Sequence, residues 1–143
     1  MAHDAAGART GAALAGCARL VSSEGLTVFV AFVIVSALLA LVTAFSGYNK
    51  VTRNPQMVES ITKLGVPERF IPVLGALLLA GAVGTVIGIW WAPIGIAATA
   101  CFVLYFLGAV ITHVRAKDWA GVGPTGGLAL LSAAALVLRL LSL

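Results

Sequence analysis

The sequence predicts an all-α integral membrane protein, a four-helix bundle with a short amphipathic interfacial helix in its first loop. Of the 143 residues, 61% are hydrophobic and only 10% are charged, whereas soluble domains have roughly 45–50% apolar and about 25% charged residues. Residues 25–49, 70–114 and 119–138 contain no Asp, Glu, Lys or Arg. A spanning helix needs about 20 apolar residues, so the second stretch holds two spans and the chain has four.

Residues 1–25 form an Ala-rich arm, which we expect to be disordered or to lie at the membrane surface as a peripheral helix. The arm contains Leu-Ala-Gly before Cys17, the pattern of a lipoprotein cleavage site. The apolar stretch after Arg9 is shorter than the about 7–15 residues that the core of a signal peptide needs. We therefore expect Cys17 to carry no lipid.

Residues 26–143 form one membrane domain. The first span has no Pro and no interior Gly, so it is uninterrupted. Trp90 and Trp91 suit the membrane interface and Pro93 suits the first turn of a new helix, which predicts a hairpin of spans two and three. Gly and Pro residues up to Pro124 predict the entry to span four. The predicted spans are residues 26–46, 70–91, 93–114 and 124–142.

The first loop predicts a short helix over residues 55–64. Asn54 suits the N-cap, Pro55 suits the first helical position and Gly65 suits the end. One face of this helix is apolar, which predicts that it lies on the membrane surface. The apolar face consists of Met57, Val58, Ile61 and Leu64.

Positive charge is biased toward loops one (residues 47–69) and three (residues 115–121). The positive-inside rule then places both loops in the cytoplasm and both termini outside, in a multi-pass protein of the cell membrane. Anionic lipid headgroups account for these cations, so we expect no nucleic-acid partner. The loops carry Lys50, Arg53, Lys63, Arg69, Arg115 and Lys117, and the terminal side carries Arg9, Arg19 and Arg139.

Arg139 is the one charged residue inside a predicted span. It lies near the far end of span four, and we expect its side chain to extend to the interface opposite the two loops as an anchor. The alternative is a functional charge within the membrane.

Small residues on span two predict close helix packing. Ala80, Gly84 and Gly88 recur every four residues with Gly81 beside them, and span three offers Gly108. Small residues let helix backbones approach each other in the membrane. We expect this packing within the bundle, and a face for a partner subunit is the alternative.

The cysteine and histidine residues predict no metal site. Cys17 and Cys101 are far apart in sequence and form no ligand motif. His3 and His113 are the only histidines, and they do not lie on facing spans. We expect no cofactor bound by this chain alone, although a quinone is a candidate ligand.

Polar residues converge on the loop side of the membrane, where span one ends and span three ends. An ammonium, an imidazole and a guanidinium there suit a quinone carbonyl, a lipid headgroup or a carboxylate of a partner. The alternative is that the cations snorkel and the aromatic residues mark the headgroup region. We predict no catalytic residue; the candidate contact residues are Tyr48, Asn49, Lys50, His113, Arg115 and Trp119.

Four short motifs give the chain a resemblance to a known family. On these motifs, about residues 28–140 resemble the DoxX-like family of small four-span membrane proteins. The resemblance implies a link to redox chemistry, since the wider group includes the membrane subunit of an archaeal thiosulfate:quinone oxidoreductase, and bacterial members are linked with membrane-associated redox complexes. The motifs are Ser46-Gly47 with Lys50, Leu64-Gly65-Val66-Pro67, Gly75, and Gly108-Ala109-Val110-Ile111-Thr112-His113-Val114-Arg115-Ala116.

One departure from the family bears on function. Members often carry a Glu a few residues after the glycine that matches Gly75, where this chain reads Ala-Leu-Leu-Leu-Ala over residues 76–80. An intramembrane carboxylate would indicate a functional site. We therefore expect an accessory or anchoring subunit of a larger, redox-linked membrane complex, with other membrane subunits as partners and no catalysis of its own. The alternatives are a quinone-reactive oxidoreductase subunit and a small transporter or lipid-binding protein.

Overall fold

The computed structural model describes residues 2–143 and, within them, every side chain except those of residues 2–6 and 20. This part of the chain is helical and contains no strand. Four helices are long and apolar enough to cross a membrane, which confirms the predicted all-α membrane bundle. The helices are α1 (Ala2–Val51), α2 (Pro55–Lys63), α3 (Ile71–Ile87), α4 (Ala92–Arg115) and α5 (Trp119–Leu141), and a 3₁₀ turn, Glu68–Phe70, precedes α3.

Helix α1 is much longer than one span, because the Ala-rich N-terminal residues continue the helix that crosses the membrane. Its 50 residues extend over roughly 75 Å at about 1.5 Å per residue. We call residues 2–27 the N-terminal extension; from Gly7 onward its described side chains are exposed. Partial burial begins at Val28 and Phe29. The predicted arm is thus part of α1, except for residue 1, which lies outside the described residues.

The four long helices form a ring in which α1 and α4 each pack against α3 and α5. Helices α1 and α3 touch through their backbones: a Cβ atom on Gly75 would lie 2.8 Å from the Gly47 carbonyl oxygen. Such contact needs two residues without side chains at the crossing point. It fixes the loop-side end of α1 against the start of α3.

Helices α3 and α4 meet most closely next to the turn that joins them. A Cβ on Gly95 would lie 2.9 Å from the Gly88 carbonyl oxygen, and a Cβ on Gly84 would lie 3.1 Å from that of Ala98. These contacts place Gly84 and Gly88 in helix packing within the bundle.

The other small residues of the packing prediction have different positions. A Cβ on Gly81 would lie 2.6 Å from the ring of Phe102, so this glycine makes room for a core aromatic side chain. Ala80 is exposed, and a Cβ on Gly108 would have nothing within 4 Å. The face of α3 toward α4 therefore follows residues 81, 84 and 88 and leaves out Ala80. Gly108, on α4, takes no part in this contact.

The core lies between the helices at mid-depth. Two of its hydroxyl groups bond within their own helices, whereas the buried Ser36 hydroxyl has no hydrogen-bond partner among the described residues. The Thr43 hydroxyl donates to the Leu39 carbonyl at 2.7 Å and the Thr99 hydroxyl donates to the Gly95 carbonyl at 2.7 Å. These bonds satisfy buried polar groups without a partner helix. The core cluster consists of Leu39, Leu78, Phe102, Phe106 and Ala135.

Helix α2 forms where the sequence predicts the interfacial helix. The Asn54 side chain accepts a hydrogen bond from the backbone N–H of Gln56 at 3.1 Å, and Pro55 occupies the first turn. Ile61 is buried, whereas Glu59 and Lys63 form a 2.8 Å ion pair on the exposed face. The hydrogen bond and charge of Lys63 lower the pKa of the Glu59 carboxyl.

Helix α5 begins at Trp119, five residues before the predicted start of span four. Asp118 caps it, since its carboxylate accepts a hydrogen bond from the backbone N–H of Gly121 at 3.3 Å. Pro124 lies inside the second turn, where it removes one backbone hydrogen bond without ending the helix. The cap, and not the proline, sets the boundary.

Arg139 differs from its expected pose. It lies near the end of α5 on the terminal side of the bundle, but only 6% of the residue is exposed. Its guanidinium carbon lies 5.0 Å from the ring centroid of Phe32 and 6.0 Å from that of Phe29. The side chain folds against α1 rather than extending outward, because two aromatic faces are available there.

Candidate functional site

A cavity of about 630 Å³ lies at the loop side of the bundle. It is lined by the loop-side halves of α3 and α4, which contribute Leu74 and Leu104. Met57 and Ile61 of α2 also line it. The volume is within the range of roughly 300–1,000 Å³ typical of small-molecule sites. Helix packing at the turn and helix separation at the loop side thus create a space for a ligand.

The walls of this cavity are mostly apolar, and polar groups gather at one end. The Lys50 ammonium of α1 donates to the Ser46 hydroxyl at 2.7 Å, and both residues line the cavity. On the α4 side, the Nδ1 atom of His113 lies 2.9 Å from a carboxylate oxygen of Asp118, and both of these residues also line it. An apolar body with a polar end is the pattern of a site for an amphipathic ligand.

The short connection between α4 and α5 brings His113 and Asp118 together. Lys117 adopts a left-handed conformation with φ 57, which reverses the chain after α4. The backbone N–H of Asp118 then donates to the His113 carbonyl at 3.0 Å. The same carboxylate caps α5 and holds the imidazole, so Asp118 orients His113 toward the cavity.

Gly121 gives the imidazole its space. A Cβ atom there would overlap the His113 ring and would lie 2.6 Å from the Asp118 carboxylate. Any side chain at this position must displace the pair. Gly121 is therefore a positioning residue for His113.

The structure places the predicted contact residues in two groups. Lys50 and His113 line the same cavity, whereas Tyr48 and Trp119 are 62% and 69% exposed and Arg115 is exposed. Asn49 is half-buried and donates from its side chain to the Phe45 carbonyl at 3.1 Å, within its own helix. These last four do not line the cavity.

The sequence predicts that Ser46 and Lys50 share a helical face but does not identify them as a hydrogen-bonded pair. It identifies neither Asp118 nor Gly121 as a site residue. The spacing of Ser46 and Lys50, one helical turn, is a signal that a sequence shows. Asp118 is a preferred N-cap residue, but the signal was hidden because span four was predicted to begin at residue 124. The role of Gly121 follows from three-dimensional proximity alone.

A second, smaller depression of about 360 Å³ adjoins the cavity. Ser60, Leu64 and Asp118 line both, and Lys63 and Ala116 complete the smaller one. Asp118 thus stands between the cavity and the loop-side surface, where water has access.

The described part of the chain contains no cluster of three or more His, Cys, Asp or Glu side chains that could hold a metal ion. Cys17 and Cys101 are free and exposed. The chemistry that the cavity offers is hydrogen bonding and charge, from an ammonium, an imidazole and a carboxylate.

These features define a small multi-pass membrane protein with a loop-side cavity, and its bilayer contact follows from the four apolar helices. The chain belongs to the DoxX-like family, whose model matches residues 34–137, as the sequence motifs predict. Neither a curated protein nor a solved structure matches it.

Proposed function

We propose that this protein is a membrane subunit that binds a quinone in the loop-side cavity and acts with a redox partner that supplies or removes the electrons. The observation that carries the proposal is the cavity itself, which joins apolar walls to Lys50 and His113 at one end. The redox link is what the family resemblance implies.

The polar end suits a carbonyl oxygen. Lys50 uses one donor on Ser46, and an ammonium has three. His113 engages Asp118 through Nδ1, which leaves Nε2 as the second ring nitrogen. A quinone carbonyl accepts a hydrogen bond from the Lys50 ammonium. Nε2 of His113 donates to it only when both ring nitrogens carry protons; with a single proton held on Nδ1 toward Asp118, Nε2 instead accepts from a quinol hydroxyl. The isoprenoid or alkyl tail of the quinone suits the apolar walls.

Aromatic side chains support a planar ligand. Tyr105 and Phe106 line the cavity with ring centroids 5.3 Å apart in an edge-to-face arrangement. Aromatic rings favour offset or edge contacts with another π-system. A quinone ring offers such a surface, which a saturated acyl chain does not.

The test is equilibrium binding of a radiolabelled short-chain benzoquinone to the protein in phosphatidylcholine nanodiscs, with empty nanodiscs as the blank. Lys50→Met removes a charged donor, which contributes about 1.5–3 kcal/mol, so we expect affinity to fall roughly 10–100-fold. Arg115→Met is the matched control, since Arg115 is exposed at the same end of the bundle. Failure of the unmodified protein to bind, or equal losses in both variants, would contradict the proposal.

Lipid binding is the second candidate, because Lys50 is half-buried and its hydrogen-bond partner is a neutral hydroxyl. An anionic acyl lipid would neutralise this charge. Competition decides between the two ligands: a fatty acid that displaces the quinone at lower concentration than unlabelled quinone favours the lipid.

The accessory role is tested separately by copurification in mild detergent. A stable complex with redox-active membrane proteins is expected. A chain that migrates only as a monomer without companions would contradict this part of the proposal.

A further inference from the structure

Arg139 is a charged side chain buried at the membrane side opposite the cavity. Only 6% of the residue is exposed, and its Nε atom is buried without a hydrogen-bond partner. Among the described residues, its side chain makes one hydrogen bond, from a terminal guanidinium nitrogen to the Ser142 hydroxyl at 3.4 Å, which is long. Burying a guanidinium is costly unless its charge and its donors are matched.

The described side chains supply no counter-charge to Arg139. Among the described side chains, no carboxylate lies within 4.0 Å of the Arg139 guanidinium. Glu24, the nearest acidic residue before Phe29 on α1, is exposed. The rings of Phe29 and Phe32 hold the cation by cation–π attraction but do not neutralise it.

The depth of Arg139 matches that of a lipid headgroup. It lies two residues before the end of α5 at Leu141, on the side where the α3–α4 turn exposes Trp90 and Trp91. Exposed tryptophans mark the membrane–water interface, where phospholipid phosphates lie. The charge therefore stands at the level of those phosphates.

We propose that Arg139, fixed by Phe29 and Phe32, binds the phosphate group of one membrane phospholipid in the terminal-side leaflet. The planar guanidinium fits two phosphate oxygens and supplies the charge that they require. The half-buried Ser142 hydroxyl donates to the Arg139 carbonyl at 2.9 Å, so the guanidinium alone supplies the donors for the phosphate. The aromatic pair distinguishes this site from a freely extended surface arginine, because it holds the guanidinium in one place.

Native mass spectrometry tests the proposal on the protein extracted from phosphatidylglycerol nanodiscs into mild detergent. The unmodified protein should retain a phospholipid, and Arg139→Leu should lower the retained fraction roughly tenfold or more, as loss of a charged hydrogen-bond partner predicts. Arg19→Leu is the matched control, since Arg19 is exposed on the same side. Equal retention by all three proteins would overturn the proposal.

A second variant and two competitors complete the experiment. If Arg139→Leu fails to fold, Arg139→Lys keeps the charge but loses the planar fork, so it should keep the helical circular dichroism and still retain less lipid. Full retention by this variant overturns the proposal. Inorganic phosphate that displaces the lipid indicates a site for the free anion, and a copurifying acidic protein that replaces the lipid indicates a partner's carboxylate; either result overturns it as well.

Discussion

The Asp118 carboxylate makes two contacts, and both depend on the position of this residue between α4 and α5. It caps α5 through the N–H of Gly121, and it holds the His113 ring at 2.9 Å. A preferred N-cap residue stabilises a helix by about 1 kcal/mol relative to alanine. The residue that starts the last helix thus also orients a side chain of the cavity.

We predict that Gly121→Ala weakens ligand binding, because the new methyl group would overlap the His113 ring and crowd Asp118. The expected result is a roughly tenfold or larger loss of quinone affinity, equivalent to about 1.4 kcal/mol. The measurement is the binding assay in nanodiscs. Gly123→Ala is the control, since a Cβ there has nothing within 4 Å, and it should bind normally. Unchanged binding in Gly121→Ala would show that His113 does not need this space.

The sequence only partly predicts which side chains line the cavity. Lys50 and His113 were expected at one membrane side because spans one and three end there, and they line one cavity. Tyr48 and Trp119 were expected with them, but their side chains point outward. Sequence position fixes the depth of a residue in the membrane, whereas the direction of its side chain depends on helix rotation and packing.

At the scale of elements, glycines decide where helices touch and where they separate. Gly88 and Gly95 bring α3 and α4 into backbone contact at their turn. At the other end of the pair, Phe70 and Leu104 border a cavity. The close contact thus lies at the turn, and the cavity lies at the opposite end of the helix pair.

We predict that Gly88→Ala destabilises the bundle. Its Cβ would overlap Gly95 of α4, and overpacking of this kind costs about 1–3 kcal/mol. Unfolding by a denaturing detergent, followed by circular dichroism, measures the change in the free energy of unfolding. Gly127→Ala should not destabilise, since a Cβ there has nothing within 4 Å and alanine favours helix by about 1 kcal/mol. Equal stability of the two variants would contradict the backbone contact.

We also predict that α2 controls access to the cavity. Ile61 is buried against the bundle while Glu59 and Lys63 face away, so Ile61→Ala should loosen the helix by about 2 kcal/mol or more. Faster hydrogen exchange of the α2 amides and faster ligand dissociation are the expected results. Thr62→Ala, at an exposed position, is the control. An unchanged dissociation rate in Ile61→Ala would mean that ligands enter elsewhere.

The existence of the four long helices and of α2 was predictable, whereas three boundaries were not: the start of α1, the start of α5, and the end of α3, which lies at Ile87 rather than at residue 91. Apolar length predicts four spans, and capping residues predict α2. The start of α5 was misplaced because Pro124 suggested an entry point, although Asp118 caps the helix earlier. The extent of α1 was hidden because an Ala-rich segment is compatible with both a helix and a loose arm.

At the scale of the whole molecule, two exposed cysteines report on membrane topology. Cys17 lies in the N-terminal extension, and Cys101 lies in the middle of α4. The first is expected in water on the terminal side and the second against lipid. The chain therefore carries its own pair of labelling sites.

We predict that a membrane-impermeant maleimide labels Cys17 from outside intact cells, because the positive charges of loops one and three favour a cytoplasmic position for those loops. Cys101 should react only after detergent solubilisation. Cys17→Ser should abolish the label on intact cells. A label on Cys17 that appears only in opened cells would reverse the assigned orientation, and reaction of Cys101 in intact membranes would place α4 outside the lipid.

The number and order of spans were predictable for the whole molecule, and the cavity was not. Hydrophobic length and charge-free stretches determine how often the chain crosses the membrane. A cavity arises from the angles between helices, which depend on contacts between distant residues such as Gly47 and Gly75. A single sequence does not reveal such pairs.

Helix α1 joins the two ends of the protein in one piece. It carries Lys50 at the cavity and the rings of Phe29 and Phe32 beside Arg139, about 30 Å away along its axis. No proline lies between these positions, so a small rotation of the helix at one end also occurs at the other. Where the two ligands favour different rotations of α1, we expect each to change the affinity of the other, and thermodynamic reciprocity makes the two factors equal.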